Sequence, residues 1–257
     1  MLPAERQRRI VELVTADNGR SVESLAEELG YSKATIRRDL HELAERGRIE
    51  RSHGGAVPVT NVGHEAAYGQ KEVRNLDAKR AIAGRAVEEI GHGHVVFFDA
   101  GTTTMQVAEA APDDGSMTAV TNSPEIALEL GVEDRTVKLT GGTVRPRTRS
   151  LVGPTAESFL GRMNFDLLFL GANAIDVETG LTTPNEDEAR AKELMVQRAS
   201  RVVLVADSSK IGDRSFVTFA GLDDVDLFVT DDGIAERDRG RFQAEEVAVV
   251  TAEPDCS

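Results

Sequence analysis

The stretch from Ser32 to Leu43 constrains the fold of this chain more than any other. At about 100° per residue, Ile36, Leu40 and Leu43 share one narrow sector that must face inward. Thr35, Arg37, Arg38 and His41 then point outward, and Gly47 ends the helix. Upstream, Ala4–Thr15 places Ile10, Leu13 and Val14 on one side of a helix that stops at Asp17-Asn18-Gly19. Ser21 is the expected N-cap of a second helix, Val22–Leu29, whose buried face is Val22, Leu25, Ala26 and Leu29. Gly30 stops it, and Ser32 caps the third. Two short helices joined by such a turn are the sequence form of a helix-turn-helix.

A groove-reading helix needs small polar and Arg side chains toward its N-terminal half, where they reach guanine edges and phosphates. Ser32, Lys33, Thr35, Arg37 and Arg38 fit that need. Asp39 is expected to orient a basic side chain rather than touch DNA. Residues Arg48–Val57 alternate Ile49 with Arg51 and turn at Gly54-Gly55, the pattern of a β-wing that presents Arg51 and His53 to the phosphate backbone. The competing reading is a small three-helix bundle with a solvated charged face.

The net charge of −14 argues at first against nucleic acid, so its distribution matters. Residues 1–60 carry ten Lys/Arg and ten Asp/Glu, so the whole excess of acid lies beyond them. Only six of the 30 basic residues are lysine, and Trp is absent. An acidic, lysine-poor surface is the kind found in salt-accumulating organisms, or simply in an acidic protein from a GC-rich genome. In the first case counterion release contributes little to DNA affinity, and base contacts matter more. A lone cysteine, Cys256, allows neither an internal disulfide nor a cysteine metal site. No apolar stretch approaches the ~20 residues that span a bilayer, and MLPAERQRRI lacks a signal-peptide core. A soluble, cytoplasmic protein with no membrane partner is expected.

The run SKATIRRDLHELAERGRIERSHGGA closely resembles the N-terminal signature of the DeoR family of sugar-catabolism regulators. The matching positions are Ser32, Thr35, Ile36, Arg37, Arg38, Asp39, Leu40, Leu43, Gly47, Ile49, Arg51, His53, Gly54, Gly55 and Ala56. The resemblance implies a winged helix-turn-helix over residues 1–57 that binds double-stranded operator DNA, commonly as a repressor.

Residues 58–76 mix Pro, Gly and polar residues and read as a linker with a short helix. From residue 77 to 257 helices and strands alternate. A helix at Ala78–Ile90 precedes a strand at Val95–Phe98, and another begins near Met105. Further strands are expected at Thr118–Thr121, Val137–Thr140, Phe165–Leu170, Val202–Ala206, Leu227–Thr230 and Val247–Thr251. This is an α/β pattern with a mostly parallel sheet covered on both faces.

Ligands of open α/β sheets sit at the carboxyl ends of strands. There the sequence places Asp99-Ala100-Gly101-Thr102-Thr103-Thr104, Thr121-Asn122-Ser123, Thr140-Gly141-Gly142, Gly171-Ala172-Asn173 and Asp207-Ser208-Ser209-Lys210. In the first, Gly101 permits close approach, and threonine hydroxyls and helix amides offer donors to an anion. Lys210 offers a cation. A plain strand-to-helix turn and a surface lysine are the ordinary alternatives.

FFDAGTTT, VTNSPEIA, LTGG, SLVGPTAE, LGANAID, TGLTTPNEDEARAKELM and VADSSKIG also resemble the DeoR sensor domain, over roughly residues 77–232. The resemblance implies a fold similar to ribose-5-phosphate isomerase and a phosphorylated sugar as effector. Carried over by motif, the pocket residues are Asp99, Gly101, Thr102, Thr103, Asn122, Gly141, Gly142 and Lys210. Thr104 joins them from the loop reading, and Lys192 is a weaker candidate that a surface helix also explains.

The alternative function is a sugar-phosphate isomerase with an appended DNA-binding domain, which needs a carboxylate base. Related isomerases carry DGADE and REK strings; Leu170–Ala174 and Arg190-Ala191-Lys192 stand in their place and lack those acids. No catalytic residue, cofactor or metal is therefore expected, and His92 and His94 read as a strand-entry turn. Arg145, Arg147 and Arg149 can contact a phosphosugar, form an interface or stay solvated, with the last two favoured, and Glu186–Glu188 read as a solvated helix start. A homo-oligomer, dimer or tetramer, is expected on a palindromic operator.

Overall fold

The computed structural model describes residues 3–17, 19–46, 48–52, 54–58, 65–131 and 135–253. The chain divides into two compact units, Met1–Asn61 and Val62–Ser257.

The smaller unit runs α1 (Pro3–Ala16), β1 (Arg20–Ser21), α2 (Val22–Leu29), α3 (Lys33–Glu45), β2 (Ile49–Ser52) and β3 (Gly55–Pro58). Both caps are made: the Ser21 hydroxyl accepts from the Ser24 amide at 3.1 Å, and Ser32 accepts from Thr35 at 3.2 Å. Gly30 stops α2 at φ +71°, a left-handed conformation that glycine adopts without strain. Ile10, Leu13, Val14, Val22, Leu25, Ile36, Leu40 and Leu43 form the core with Ile49 and Ala56. Ala26 and Leu29, expected in that core, are only partly buried against it. β3 pairs antiparallel with β2 and also with β1, giving the order β1-β3-β2. β1 is two residues long, too short to show a period in the sequence. Gly47 and His53 lie outside the described residues.

The larger unit begins with α4 (Tyr68–Glu72) and α5 (Leu76–Ala86), followed by β4 (Val95–Phe98), α6 (Thr102–Ala110), β5 (Thr118–Thr121), α7 (Pro124–Leu130) and β6 (Val137–Leu139). A hairpin follows, β7 (Thr143–Arg145) and β8 (Ser150–Val152), then α8 (Pro154–Leu160) and β9 (Leu167–Leu170). The remainder is β10 (Ala174–Asp176), β11 (Gly180–Thr183), α9 (Glu186–Arg198), β12 (Val202–Val205), β13 (Val217–Ala220), β14 (Leu227–Asp231), α10 (Glu236–Ala244) and β15 (Ala248–Ala252).

Seven strands form one parallel sheet in the order β15-β14-β12-β9-β4-β5-β6. Side chains alternate between its faces. Val96, Phe98, Phe169, Val203 and Val229 join Ile82, Val107 and Ile126 of α5, α6 and α7. Phe97, Leu168, Leu204 and Phe228 join Leu160, Met195 and Phe242 of α8, α9 and α10. Strands buried on both faces read as continuous apolar runs, which is why this sheet was legible. Several boundaries differ from expectation, among them those of β9 and α6. Phe165 makes only an isolated bridge to Ala199, so β9 starts two residues later, and α6 starts at Thr102 rather than near Met105. β10, β11 and β13 form a small antiparallel sheet of their own.

Because all seven strands are parallel, their carboxyl ends share one edge. Strand order reverses between β4 and β9: β5 and β6 extend to one side, while β9, β12, β14 and β15 extend to the other. The crevice outside those two strand ends is where a parallel sheet receives ligands.

Candidate nucleic-acid interface and ligand pocket

On α3, Ile36, Leu40 and Leu43 face the core, while Ser32, Lys33, Arg37, Arg38 and His41 are exposed and Thr35 is half-buried. Neither Arg37 nor Arg38 forms an ion pair among the described residues. Lys33 contacts Glu23 at 2.6 Å in an exposed pair, which water screens and DNA phosphate can displace. Arg51 is exposed on β2. Asp39 lies on the inner side of α3, 3% exposed, and takes both guanidinium arms of Arg6 at 2.6 and 3.1 Å. Arg6 also stacks over Tyr31, 4.6 Å from the ring centre. The acid within the Arg-Arg-Asp run therefore ties the exposed helix to α1 and leaves the two arginines on the outside, with Arg37 in electrostatic reach of Glu23.

In the larger unit, Asp99 follows β4 and Gly171 follows β9, one on each side of the order reversal. The Gly171 amide donates to Asp99 Oδ2 at 3.0 Å. Lys192 of α9 donates to the same oxygen, and to the Gly171 carbonyl at 2.9 Å. Burial pushes the Asp99 carboxyl above its ordinary value, and Lys192 pulls against that shift. Asp99 Oδ1 is buried and has no partner. A buried acceptor of that kind is costly unless something supplies a donor, and a ligand hydroxyl would do so.

Further cations stand on neighbouring elements. Lys71 of α4 lies within electrostatic reach of Glu65, Lys210, Glu188 and Lys192, and burial lowers its ammonium from 10.5 to about 8. Lys79 of α5 is 3% exposed, and burial brings it also to about 8, with Asp207 opposing the shift. Lys210 closes the turn after β12; burial lowers it too, against Asp207. Lys71, Lys79, Lys192 and Lys210 are four of the six lysines in the whole chain. Arginine serves almost everywhere else, so the compact ammonium is concentrated at one edge of the sheet.

Two buried carboxylates frame this edge. Glu188 in the first turn of α9 is 5% exposed and accepts hydrogen bonds from Thr148, Ser150 and Thr183. Those bonds and nearby Lys192 and Arg145 hold it below its ordinary value, against the opposing effect of burial. The expectation of a solvated helix start fits exposed Glu186 and fails for Glu188, because three hydroxyls replace its water. Glu65, 4% exposed, takes Arg145 with both oxygens at 2.9 and 2.6 Å. Arg145 is thus held within the unit rather than solvated.

The remaining candidates are placed as follows. Gly101 N-caps α6 without a side chain, so the first-turn amides and the half-buried Thr102 and Thr103 stand without a side-chain cap. Thr104 is fully buried and donates to the Gly101 carbonyl at 3.0 Å, so its hydroxyl serves the loop. Asn122 accepts from the Ala100 amide at 2.7 Å and braces the loop from the end of β5. Gly141 and Gly142 turn the chain between β6 and β7 at φ +71° and +113°. A Cβ on Gly142 would sit 2.6 Å from the Val152 carbonyl, so packing alone demands glycine there.

Residues 6–62 match the description "DeoR-like helix-turn-helix domain", and residues 74–232 match "DeoR C terminal sensor domain". The chain belongs to the DeoR family. It is 68% identical over 250 residues to the HTH-type transcriptional regulator GlpR of Haloferax volcanii, covering 97% of this chain and 98% of that protein. It is 39% identical over 231 residues to the transcriptional repressor AccR of Agrobacterium fabrum, covering 89% and 90%. Among solved structures, ribose 5-phosphate isomerase A of Methanocaldococcus jannaschii overlaps 53% of this chain and 55% of its own, at 16% identity and a TM-score of 0.40.

As a DeoR-family member the protein is a DNA-binding transcription regulator. Sequence reasoning on this DeoR-family chain missed Lys71, Lys79, Glu65 and Glu188. The first three lie in or beside a stretch that reads as linker. The scarcity of lysine was the available signal: two of six fall within nine residues of one another there.

Proposed function

We propose that this regulator is a repressor whose effector, a phosphorylated sugar, binds at the carboxyl edge of β4, β9 and β12 and weakens operator binding. The carrying observation is a chain of buried cations on this edge: Lys192 holds Asp99, whose other oxygen is unpartnered, Lys71 lies within electrostatic reach of Lys192 and Lys210, and Lys79 and Lys210 share Asp207. Lys71 and Lys210 neutralise the phosphate, helped by the amides and hydroxyls at Thr102 and Thr103. Asp99 Oδ1 accepts from a sugar hydroxyl. Arg37, Arg38, Thr35, Ser32 and Lys33 read the operator, with Arg51 and His53 on its backbone, as a dimer or tetramer in the cytoplasm. No helix among the described residues is long and apolar enough to cross a membrane.

Asp99 also supports the isomerase reading, since a buried carboxyl with a raised pKa is the usual form of a general acid or base. Sensing without turnover is favoured because Gly171-Ala172-Asn173 and Arg190-Ala191-Lys192 supply no second acid, and Glu188 is already engaged by three hydroxyls.

Thermal shift against a panel of sugar phosphates, followed by operator gel shift with each hit, tests the reading. At least one compound raises the melting temperature and releases operator, and Lys210→Ala raises the concentration needed by tenfold or more. Failure of every compound removes the effector assignment. Turnover of ribose 5-phosphate by the purified protein restores the enzyme.

A further inference from the structure

Residues 65–75 are held to the larger unit almost wholly by polar links. Only Glu65 and Tyr68 among them are buried, and none joins either apolar cluster. The links come chiefly from one hairpin turn. Arg145 grips the Glu65 carboxylate, Arg147 Nε donates to the Glu65 carbonyl at 2.5 Å, and the Arg147 carbonyl accepts from the Tyr68 amide at 3.0 Å. Arg149 lies over the Tyr68 ring at 4.7 Å and pairs with Glu125. At the far end Asn75 donates to Asp207 at 2.8 Å.

Lys71 sits midway and faces two ways. Its carbonyl accepts from Lys79, while its ammonium stands 3.7 Å from Glu65 Oε1, beyond hydrogen-bond distance. Glu65 is therefore shared between a tight bidentate bond to Arg145 and a loose contact with Lys71. Arg145 also lies 3.3 Å from Glu188 Oε1, a carboxylate that Lys192 also stabilises.

We propose that residues 65–75 are a strap that reports pocket occupancy: a bound phosphate draws Lys71 off Glu65, and the Glu65–Arg145 pair sets which position the strap holds. This rests on the phosphosugar reading above. A partly desolvated ammonium without a close partner gains more from an incoming dianion than a solvated one does. A segment with so little apolar burial opens at low free energy, so that gain is enough to move it. Only the differential affinity of the ligand for the two strap positions drives the change. In sequence, residues 59–64 separate the strap from β3.

Hydrogen exchange by mass spectrometry on the full chain tests this, with fructose 6-phosphate, glycerol 3-phosphate and inorganic phosphate as probes beside a thermal-shift measurement. A probe that raises the melting temperature changes exchange in 65–75 and 143–152 at least tenfold, with little change in β15. Glu65→Gln and Arg145→Lys loosen the resting strap, so both release operator at a ligand concentration at least tenfold lower than the parent needs. A melting shift with unchanged strap exchange overturns the strap, as does operator release from Glu65→Gln at parental ligand concentrations. No melting shift with any probe overturns the phosphosugar reading, and the strap with it. If either variant fails to fold, exchange in the unaltered protein decides.

Discussion

Arg37 and Arg38 stand exposed on α3 with no ion pair among the described residues, whereas Lys79 and Lys192 of the larger unit are 3% and 6% exposed. The first pair keeps its water until a polyanion arrives, so its charge costs the fold nothing. The second pair has lost its water already, and its charge is tolerated only through Asp99, Asp207 and backbone carbonyls. One arrangement suits a long, salt-screened partner that binds by many similar contacts. The other suits one small anion, whose arrival relieves a standing electrostatic debt.

The sharpest way to break this contrast is to delete one charge from each set. Lys192→Met leaves Asp99 buried without its cation and is expected to destabilise the larger unit by about 3 kcal/mol, read as a shift in denaturant midpoint. A loss under 1 kcal/mol would mean that the pair is not needed. Arg37→Ala combined with Arg38→Ala lowers operator affinity by roughly a hundredfold and leaves the melting temperature unchanged. Gel shifts beside a melting curve check both halves, and a lowered melting temperature would merge the two classes of cation.

Acidity sharpens the comparison further. The folded pKa of Lys79, about 8, lies below its ordinary 10.5, so its burial cost is present in full below pH 8 and drains away as pH rises toward 10.5. Lys79→Met therefore stabilises the protein by up to about 3 kcal/mol at pH 7, and the gain vanishes near pH 10.5. For the parent, affinity for the proposed phosphosugar falls about tenfold between pH 7 and 9 as Lys71 loses its proton, measured by titration calorimetry. Smallest of all, Lys33→Ala changes operator affinity less than threefold, because its exposed pair with Glu23 is worth about 0.5 kcal/mol or less.

The reading helix was legible because its evidence is local. Ile36, Leu40 and Leu43 repeat within one helix, and Ser32 caps it three residues before Thr35. The sheet was legible for the same reason, as apolar runs of four or five residues. The pocket's supports were not. Glu65 meets Arg145 across eighty residues, and Lys192 meets Asp99 across ninety-three. No period or spacing encodes such pairs, and Glu188 sits in an acidic run that looks solvated until Thr148, Ser150 and Thr183 are seen around it. Asp39 was read as a residue that orients a basic side chain, and that side chain is Arg6 from another helix.

The gathering of lysines at one sheet edge also gives the protein a built-in reagent site. At pH 7.5 an amine that titrates near 8 is unprotonated about two orders of magnitude more often than an ordinary exposed lysine. Lys79 is too deeply enclosed to react. A dilute acylating probe should therefore mark Lys71 ahead of exposed Lys33 and Lys138, and the mark should fade whenever the pocket is filled.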